Sequence, residues 1–284
     1  MNVNDVVATN SPTVTYGFQF VANSLKLVVT QAQFVNTSLS ATLKPNELAV
    51  ANQLQNIWNG AMPGIGPAFA ALSNEPNPQT YAQALDRLHP APYLAQPAIS
   101  TFTGLSFVDS MMSCHLPAGP FAALTEVPCD WAKLTGSFAS VGSSSSSSGY
   151  RDQAARLQAG RQFQIAPGWF GEFAVGYEAG RTTTDNFATT VADRYDFGAA
   201  LKHQIGPWLF AAALDAGYDA LTATRYIGIG GVQSATSAPS VWRLDSRFRA
   251  AYVAEFGNAY LKPSLDLDVI YTGCRVSAKP ALAR

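Results

Sequence analysis

The sequence predicts a mainly β chain with a helical linker, the larger part of which is an antiparallel transmembrane β-barrel. Three observations carry this expectation. From Cys129 onward, apolar and polar residues alternate with period two through successive segments. Aromatic residues stand at or near the ends of the apolar faces, where interfacial girdles belong. Charged residues make up only 13% of the 284 residues, about half the share usual in a soluble domain. Yet no apolar run approaches the ~20 residues that a transmembrane helix needs.

The chain divides into three parts, residues 1–41, 42–128 and 129–284. The first is β-like and polar. Val14, Tyr16, Phe18 and Phe20 alternate with Thr15, Gly17 and Gln19, and after the turn pair Asn23-Ser24 the alternation resumes at Leu25, Leu27 and Val29. That is the pattern of half-buried strands. Two short strands do not make a stable domain, so they read as the end of something larger. Residues 1–10 have neither the basic start nor the apolar stretch of a secretory signal.

In the second part the period changes. Val50, Ala51, Leu54, Ile57 and Trp58 fall on one face of a helix over residues 45–58, with Pro45 suited to its first turn and Gly60 to its stop. A second helix is expected over residues 78–88, closed by His89-Pro90, and a third over about 92–112. Helix packing accounts for these stripes.

The third part yields seven strands. Residues 131–141 form the first. Ala155, Leu157, Ala159, Phe163 and Ile165 then alternate with Arg156, Gln158, Gln162 and Gln164. Trp169, Phe173, Val175 and Tyr177 oppose Glu172 and Glu178; Tyr195, Phe197, Ala199 and Leu201 oppose Arg194, Asp196 and Lys202. Trp208, Phe210, Leu214 and Tyr218 oppose Asp215 and Asp219. Trp242, Leu244, Phe248, Tyr252 and Phe256 oppose Arg243, Asp245, Arg247, Arg249 and Glu255, and Leu265, Leu267, Val269 and Tyr271 oppose Asp266 and Asp268. Tight turns at 166–168, 206–207 and 257–258 alternate with long polar segments at 142–149, 182–190 and 222–239, as outer-membrane barrels arrange them.

A soluble barrel would turn its polar face outward. Here the polar face carries opposed charges that need water or each other, which makes it the candidate lumen. Its candidate residues are Arg156, Glu172, Glu178, Arg194, Asp196, Lys202, Asp215, Arg243, Asp245, Arg247, Arg249 and Glu255.

Cys114 and Cys129 bracket the connector before the first of these strands. In an oxidising compartment they could close a short loop worth ~3 kcal/mol; two unrelated thiols are the alternative. Cys274 has no evident partner. No metal spacing, nucleophile elbow, zincin motif or phosphate loop occurs, so neither enzyme activity nor a cofactor is expected. The net charge of −1 gives no reason to expect nucleic acid.

The order of parts resembles the C-terminal translocator of a bacterial autotransporter. Residues 16–31 resemble the last rung of a β-helical passenger. Residues 43–54, LKPNELAVANQL, are similar to the Leu-Thr-Pro-Asn-Gln start of that family's linker, and Cys129-Asp130-Trp131 resembles the Cys-x-Trp opening its first barrel strand. The resemblance implies an outer-membrane translocator and anchor for a surface-exposed or secreted passenger. Its partners would be outer-membrane lipid, its own passenger and the barrel assembly machinery, and a linker helix would fill the pore. Which helix does so is open. Family barrels have twelve strands and a closing aromatic; about seven strands are legible here, and the chain stops at Arg284. Unpaired edges are not tolerated in a membrane, so the expectation is a truncated copy with an incomplete barrel, not expected to secrete by itself. A different outer-membrane barrel (porin or adhesin-like) and a soluble secreted β-protein with an interaction role are the competing readings.

Overall fold

A computed structural model describes residues 11–21, 24–60, 66–113, 125–144, 147–185, 187–229, 232–257 and 259–275. At the N-terminus β1 (Val14–Val21) and β2 (Ser24–Ala32) pair as an antiparallel hairpin, from Val14 opposite Ala32 to Val21 opposite Ser24. The alternation predicts half-buried strands, but Phe20 is 75% exposed and Phe18 and Leu27 also face outward, because the ribbon projects from the helices below it.

Four helices follow. In α1 (Thr37–Ser40) the Asn36 side chain accepts the Leu39 N–H at 2.9 Å. Helix α2 (Pro45–Asn59) begins with proline in its first turn, where no donor is lost, and Glu47 reaches back to accept the Lys44 N–H at 2.7 Å. An Ala-rich helix α3 (Gly66–Ser73), not foreseen from the sequence, precedes α4 (Pro78–Leu88), capped by Asn77. Phe34, Leu39, Leu54, Phe69, Leu72, Tyr81 and Leu85 form one buried cluster, and Ile229 of the barrel sheet joins it. The hairpin and α1–α4 thus make a cap with its own core, seated on the sheet.

Tyr81 pins the cap. Fully buried, it donates its hydroxyl to the Phe34 carbonyl at 2.9 Å, and burial holds the phenol well above its ordinary pKa. Tyr81→Phe leaves that carbonyl unmatched and is expected to cost about 1–3 kcal/mol of cap stability. Faster hydrogen exchange in α4, with unchanged exchange in the barrel strands, is the measurement.

Helix α5 (Ala91–Met111) leads into the sheet. The strands are β3 (Cys129–Val141), β4 (Tyr150–Ala166), β5 (Trp169–Thr184), β6 (Ala188–Ile205), β7 (Trp208–Ile229), β8 (Val232–Ser237), β9 (Ser240–Tyr252), β10 (Ala254–Phe256), β11 (Ala259–Leu261) and β12 (Ser264–Arg275). Seven of them lie side by side, all antiparallel, in the order β3-β4-β5-β6-β7-β9-β12; β8 folds back on β7, and β10 with β11 forms a separate ribbon. Each of the seven has at least 12 residues, more than the ~9–11 that cross a bilayer when tilted. Among the described residues the barrel is not closed, and β3 and β12 each pair on one side.

The seven long strands agree with the sequence reading; their lengths do not. Residues 182–190 and 222–239, expected as long loops, are strand ends joined by a tight turn and the β7–β8 hairpin. These threonine-rich stretches keep β propensity but lose the apolar contrast once past the apolar band. The strand expected to run to Phe256 breaks at Val253, whose N–H makes one more bond in register, to the Pro207 carbonyl at 2.8 Å, while proline has no N–H to return.

Burial in the sheet is inverted relative to a soluble protein. Arg194 and Lys202 are 0% exposed as side chains, while Phe173 is 65% exposed, alongside Leu134, Leu157, Phe197, Leu214, Phe248 and Leu267 on the same outer face. A contiguous apolar surface of that extent is not stable against water; it fits the hydrocarbon of a bilayer. Tyr177, Tyr195, Tyr218 and Trp242 stand opposite one another in register across β5, β6, β7 and β9 and make an aromatic row on that face. Trp169, stacked on His203 with 3.9 Å between centroids, and Trp208 against Tyr252 mark the tight-turn end.

Candidate functional site

The inner face of the sheet is covered by one helix. Helix α5 runs along it and touches β4, β5, β6, β7, β9 and β12. The resemblance left open which helix occupies this place; α2 and α4 belong to the cap, and α5 lies on the polar face.

Contacts follow the helix along its whole length. Near its start Gln96 donates to Thr182 Oγ1 at 3.2 Å, and the Thr182 hydroxyl donates in turn to Asp152 at 2.6 Å. One turn on, Arg243 donates Nη1 to the Ser100 carbonyl at 2.6 Å, and Arg156 donates to the Thr103 carbonyl at 3.2 Å. Further along, Ser110 donates to Gln158 at 3.0 Å and Asp109 pairs with Arg247. At the C-terminus Lys202 Nζ donates to the Met111 carbonyl at 2.7 Å, where the helix dipole is negative. Lysine thus reaches a carbonyl that the end of the helix leaves open, while the two arginines add a second bond to carbonyls in its interior.

Behind these contacts lies a charge network. Arg194 meets Glu178 at 2.5 Å, Asp219 at 3.6 Å and Asp152 at 3.8 Å. Arg156 also pairs with Glu178. Arg243 meets Asp196 and Asp215 at 2.6 Å and Asp245 at 2.5 Å. Lys202 meets Glu172 at 3.0 Å, and Trp131 donates its indole N–H to the other Glu172 oxygen at 2.7 Å. Arg249 clasps Asp266 with two hydrogen bonds of 2.7 Å.

Shape matches as well as charge. A Cβ on Gly104 of α5 would collide with the Arg243 guanidinium and the Asp245 carboxylate, so glycine lets the helix approach there. On the wall, Gly176 and Gly198 leave the space that Phe107 and Met111 fill.

The sheet brings Arg156, Glu172, Glu178, Arg194, Asp196, Lys202, Asp215, Arg243, Asp245, Arg247 and Arg249 onto this face. Glu255 is apart: it is exposed in β10, opposite Tyr260 in the small ribbon, because the break at Val253 ends the strand's alternation first. Cys129 is disulfide-bonded and Cys274 is a free, exposed thiol; Cys114 lies outside the described residues. Asp152, Gln158, Gln162 and Asp219 share the face without having been singled out, although strand parity places them there. Gln96, Ser100, Thr103 and Ser110 were not foreseen, since small polar residues on a helix carry no signal of a charged partner. No group of three or more His, Cys, Asp or Glu among the described residues could hold a metal ion.

The elbow between cap and α5 is also tied down. Arg225 donates to the His89 carbonyl at 2.9 Å and stacks over Tyr93, whose hydroxyl meets Ser237 Oγ at 2.7 Å. Burial, and then the Arg225 charge, lower the His89 pKa. The unfolded imidazole therefore binds its proton more readily. The stability this residue contributes is complete above its ordinary value of about 6.5 and is lost as pH falls through that value. Cleavage at the elbow by a protease is expected to quicken between about pH 7 and about pH 5, and His89→Asn should flatten that response.

An inverted antiparallel sheet with an apolar outer face, a charged inner face and a helix laid along it defines an outer-membrane barrel protein. The autotransporter beta-domain family model matches residues 131–273, half of the chain, and the chain belongs to that family. Such a domain is a translocator of the bacterial outer membrane and not a catalytic domain, and it implies a passenger. No curated protein matches the chain, and no solved structure matches it either. No described helix is long and apolar enough to cross a membrane, a criterion that does not concern barrels.

Proposed function

We propose that the chain anchors a surface-exposed or secreted passenger in the outer membrane and carries it there. Residues 129–284 supply the barrel wall. Residues 42–128 supply a linker of two uses: α5 as the pore segment and the earlier helices as a cap over the mouth. Residues 1–41 are the end of the passenger. The polar face is the lumen, and Arg156, Arg194 and Arg243 are its fixed charges. The partners are outer-membrane lipid, the passenger itself and the barrel assembly machinery. A Cys114–Cys129 disulfide ties the connector after α5 to the first barrel strand.

The observation that carries this reading is the fit of α5, held by side chains of six strands from Gln96 to Met111. A helix so seated joins a segment beyond the cap at one end of the sheet to β3 at the other. That is the path a passenger leaves behind.

An epitope inserted ahead of β1 is expected to be detected by antibody on intact cells. The same epitope in the Pro167-Gly168 turn should be detected only after the cells are opened. The protein should fractionate with outer membranes and migrate faster in gels before boiling than after it. Reversed epitope exposure, or a stable monomer without detergent, refutes the proposal.

A further inference from the structure

The outer face carries a pair of neighbouring arginines that the lumen network does not use. Arg151 on β4 and Arg181 on β5 both point away from α5 and are exposed. Register sets Arg151 opposite Thr183 and Gln153 opposite Arg181, so the two arginines are diagonal cross-strand neighbours, with Cα atoms about 7–8 Å apart. Arg156, Arg194, Arg243, Arg247 and Arg249 of the lumen network each have a carboxylate partner. Arg151 and Arg181 have no side-chain partner among the described residues.

The carboxylates nearby make their hydrogen bonds to other groups and none of them pairs with either arginine. Asp152 faces inward to Thr182, Asp185 accepts the Gly149 N–H at 2.7 Å, and Asp193 takes the Tyr177 hydroxyl at 2.6 Å. Neither arginine forms an ion pair among the described residues, and two like charges set side by side repel each other, unless something anionic sits between them.

Their height is informative. Arg181 lies four residues beyond Tyr177 of the aromatic row, toward the end with the serine loop and the cap. In outer-membrane barrels the end with longer loops is the extracellular one. Beside the arginines, on the bilayer side, lies an open groove of about 640 Å³ floored by Gly136, Ala155 and Ala179 and flanked by the exposed Phe138 and Val191, with Arg181, Gln153 and Asp193 also on its lining. Small residues on the floor and apolar ones on the rim suit acyl chains; a guanidinium pair above them suits a phosphate.

We infer that Arg151 and Arg181 hold the phosphate of an acylated, phosphate-bearing lipid of the outward-facing leaflet, with its chains in the groove below. This rests on the outer-membrane reading given above. The site is on the lipid side of the wall and independent of the lumen and of α5. Its occupant is a membrane lipid rather than free phosphate, because the apolar groove adjoins the charges.

The test uses the full chain in neutral detergent, with bisphosphorylated lipid A as probe and bound lipid counted by native mass spectrometry. The wild type is expected to retain lipid A, and Arg151→Ala with Arg181→Ala to weaken retention roughly tenfold or more, as loss of two charge-assisted contacts should. Arg161→Ala, which removes an outward arginine already paired with Asp130 at 3.4 Å, is expected to change nothing. Equal retention by the double variant, equal loss with Arg161→Ala, or displacement of lipid A by equimolar inorganic phosphate would each overturn the inference. Heat-modifiable migration is scored on the same samples. If the wild type lacks it the barrel reading fails; if the variants keep it and still bind lipid, only the lipid site does.

Discussion

Arg243→Ala is expected to be the most damaging single change in the barrel wall. The substitution leaves Asp196, Asp215 and Asp245, all buried, without the cation that meets each of them at 2.5–2.6 Å. Asp215 and Asp245 stand directly opposite each other across β7 and β9, so their charges would then face one another unshielded. Removing one partner from a buried ionic cluster costs about 3–5 kcal/mol, mostly through the charges left behind. The same change also removes the bond from the wall to the Ser100 carbonyl of α5. The expected readout is a folded band, in gels run before boiling, that is lost at a markedly lower temperature or urea concentration. The cause is checked by converting the three aspartates to asparagine as well. If uncompensated charge is the reason, Arg243→Met in that neutral background should recover most of the loss. A single variant as stable as the wild type would show that the cluster does not hold the wall together.

The same cluster shows what the sequence can and cannot disclose. Strand parity alone put Arg243, Asp245 and Arg247 on one face, since successive side chains in a strand alternate. Register was not available from the sequence, so nothing identified Asp196 and Asp215, on two other strands, as the partners of Arg243. The strands were legible where one face meets lipid, from Trp169 to Tyr177 or from Trp208 to Tyr218. They faded above that band, where Thr182, Thr184 and Thr190 are buried on the inner face with polar neighbours and the period-two contrast is small. The helices are the reverse case. Helix α4 was read to the residue because Asn77-Pro78 and His89-Pro90 punctuate it, and α5 was placed within a residue at each end. That α5 lies along the wall was not legible, because many of its contacts use glycine, serine, threonine and backbone carbonyls. These carry meaning only once the partner surface is known.

The cap was also beyond reach of periodicity. Ile227 and Ile229, on the inner side at the end of β7, pack with the helical cluster, where lower positions of the same side carry Asp215 and Asp219. A strand can serve two environments in turn, and a 22-residue strand such as β7 does so. Its lower part turns Trp208, Phe210, Leu214 and Tyr218 outward; its upper part carries the cap. Cap and wall are therefore coupled through one strand as well as through the elbow at His89, and loosening either end of α5 should be felt by both.

The seat of α5 can be tested by a substitution whose sign is informative. Gly104 lies inside a helix, where alanine ordinarily gains about 1 kcal/mol over glycine. At this site a Cβ meets the Arg243 guanidinium and the Asp245 carboxylate. Neither can swing aside, since Arg243 is held at once by Asp196, Asp215, Asp245 and the Ser100 carbonyl. Gly104→Ala is therefore expected to destabilise, and Gly104→Leu to displace the helix from the wall at a cost of about 1–3 kcal/mol or more. Val108, 1% exposed between α5 and the wall, reports the displacement. With Cys274 replaced by serine, Val108→Cys should resist a bulky water-soluble maleimide in the parent protein and react readily once Gly104→Leu is added. The barrel strands should keep their protection from exchange in both. If Gly104→Ala instead raises stability, as in an isolated helix, α5 is not pressed against Arg243 and its role as the pore segment loses its structural basis.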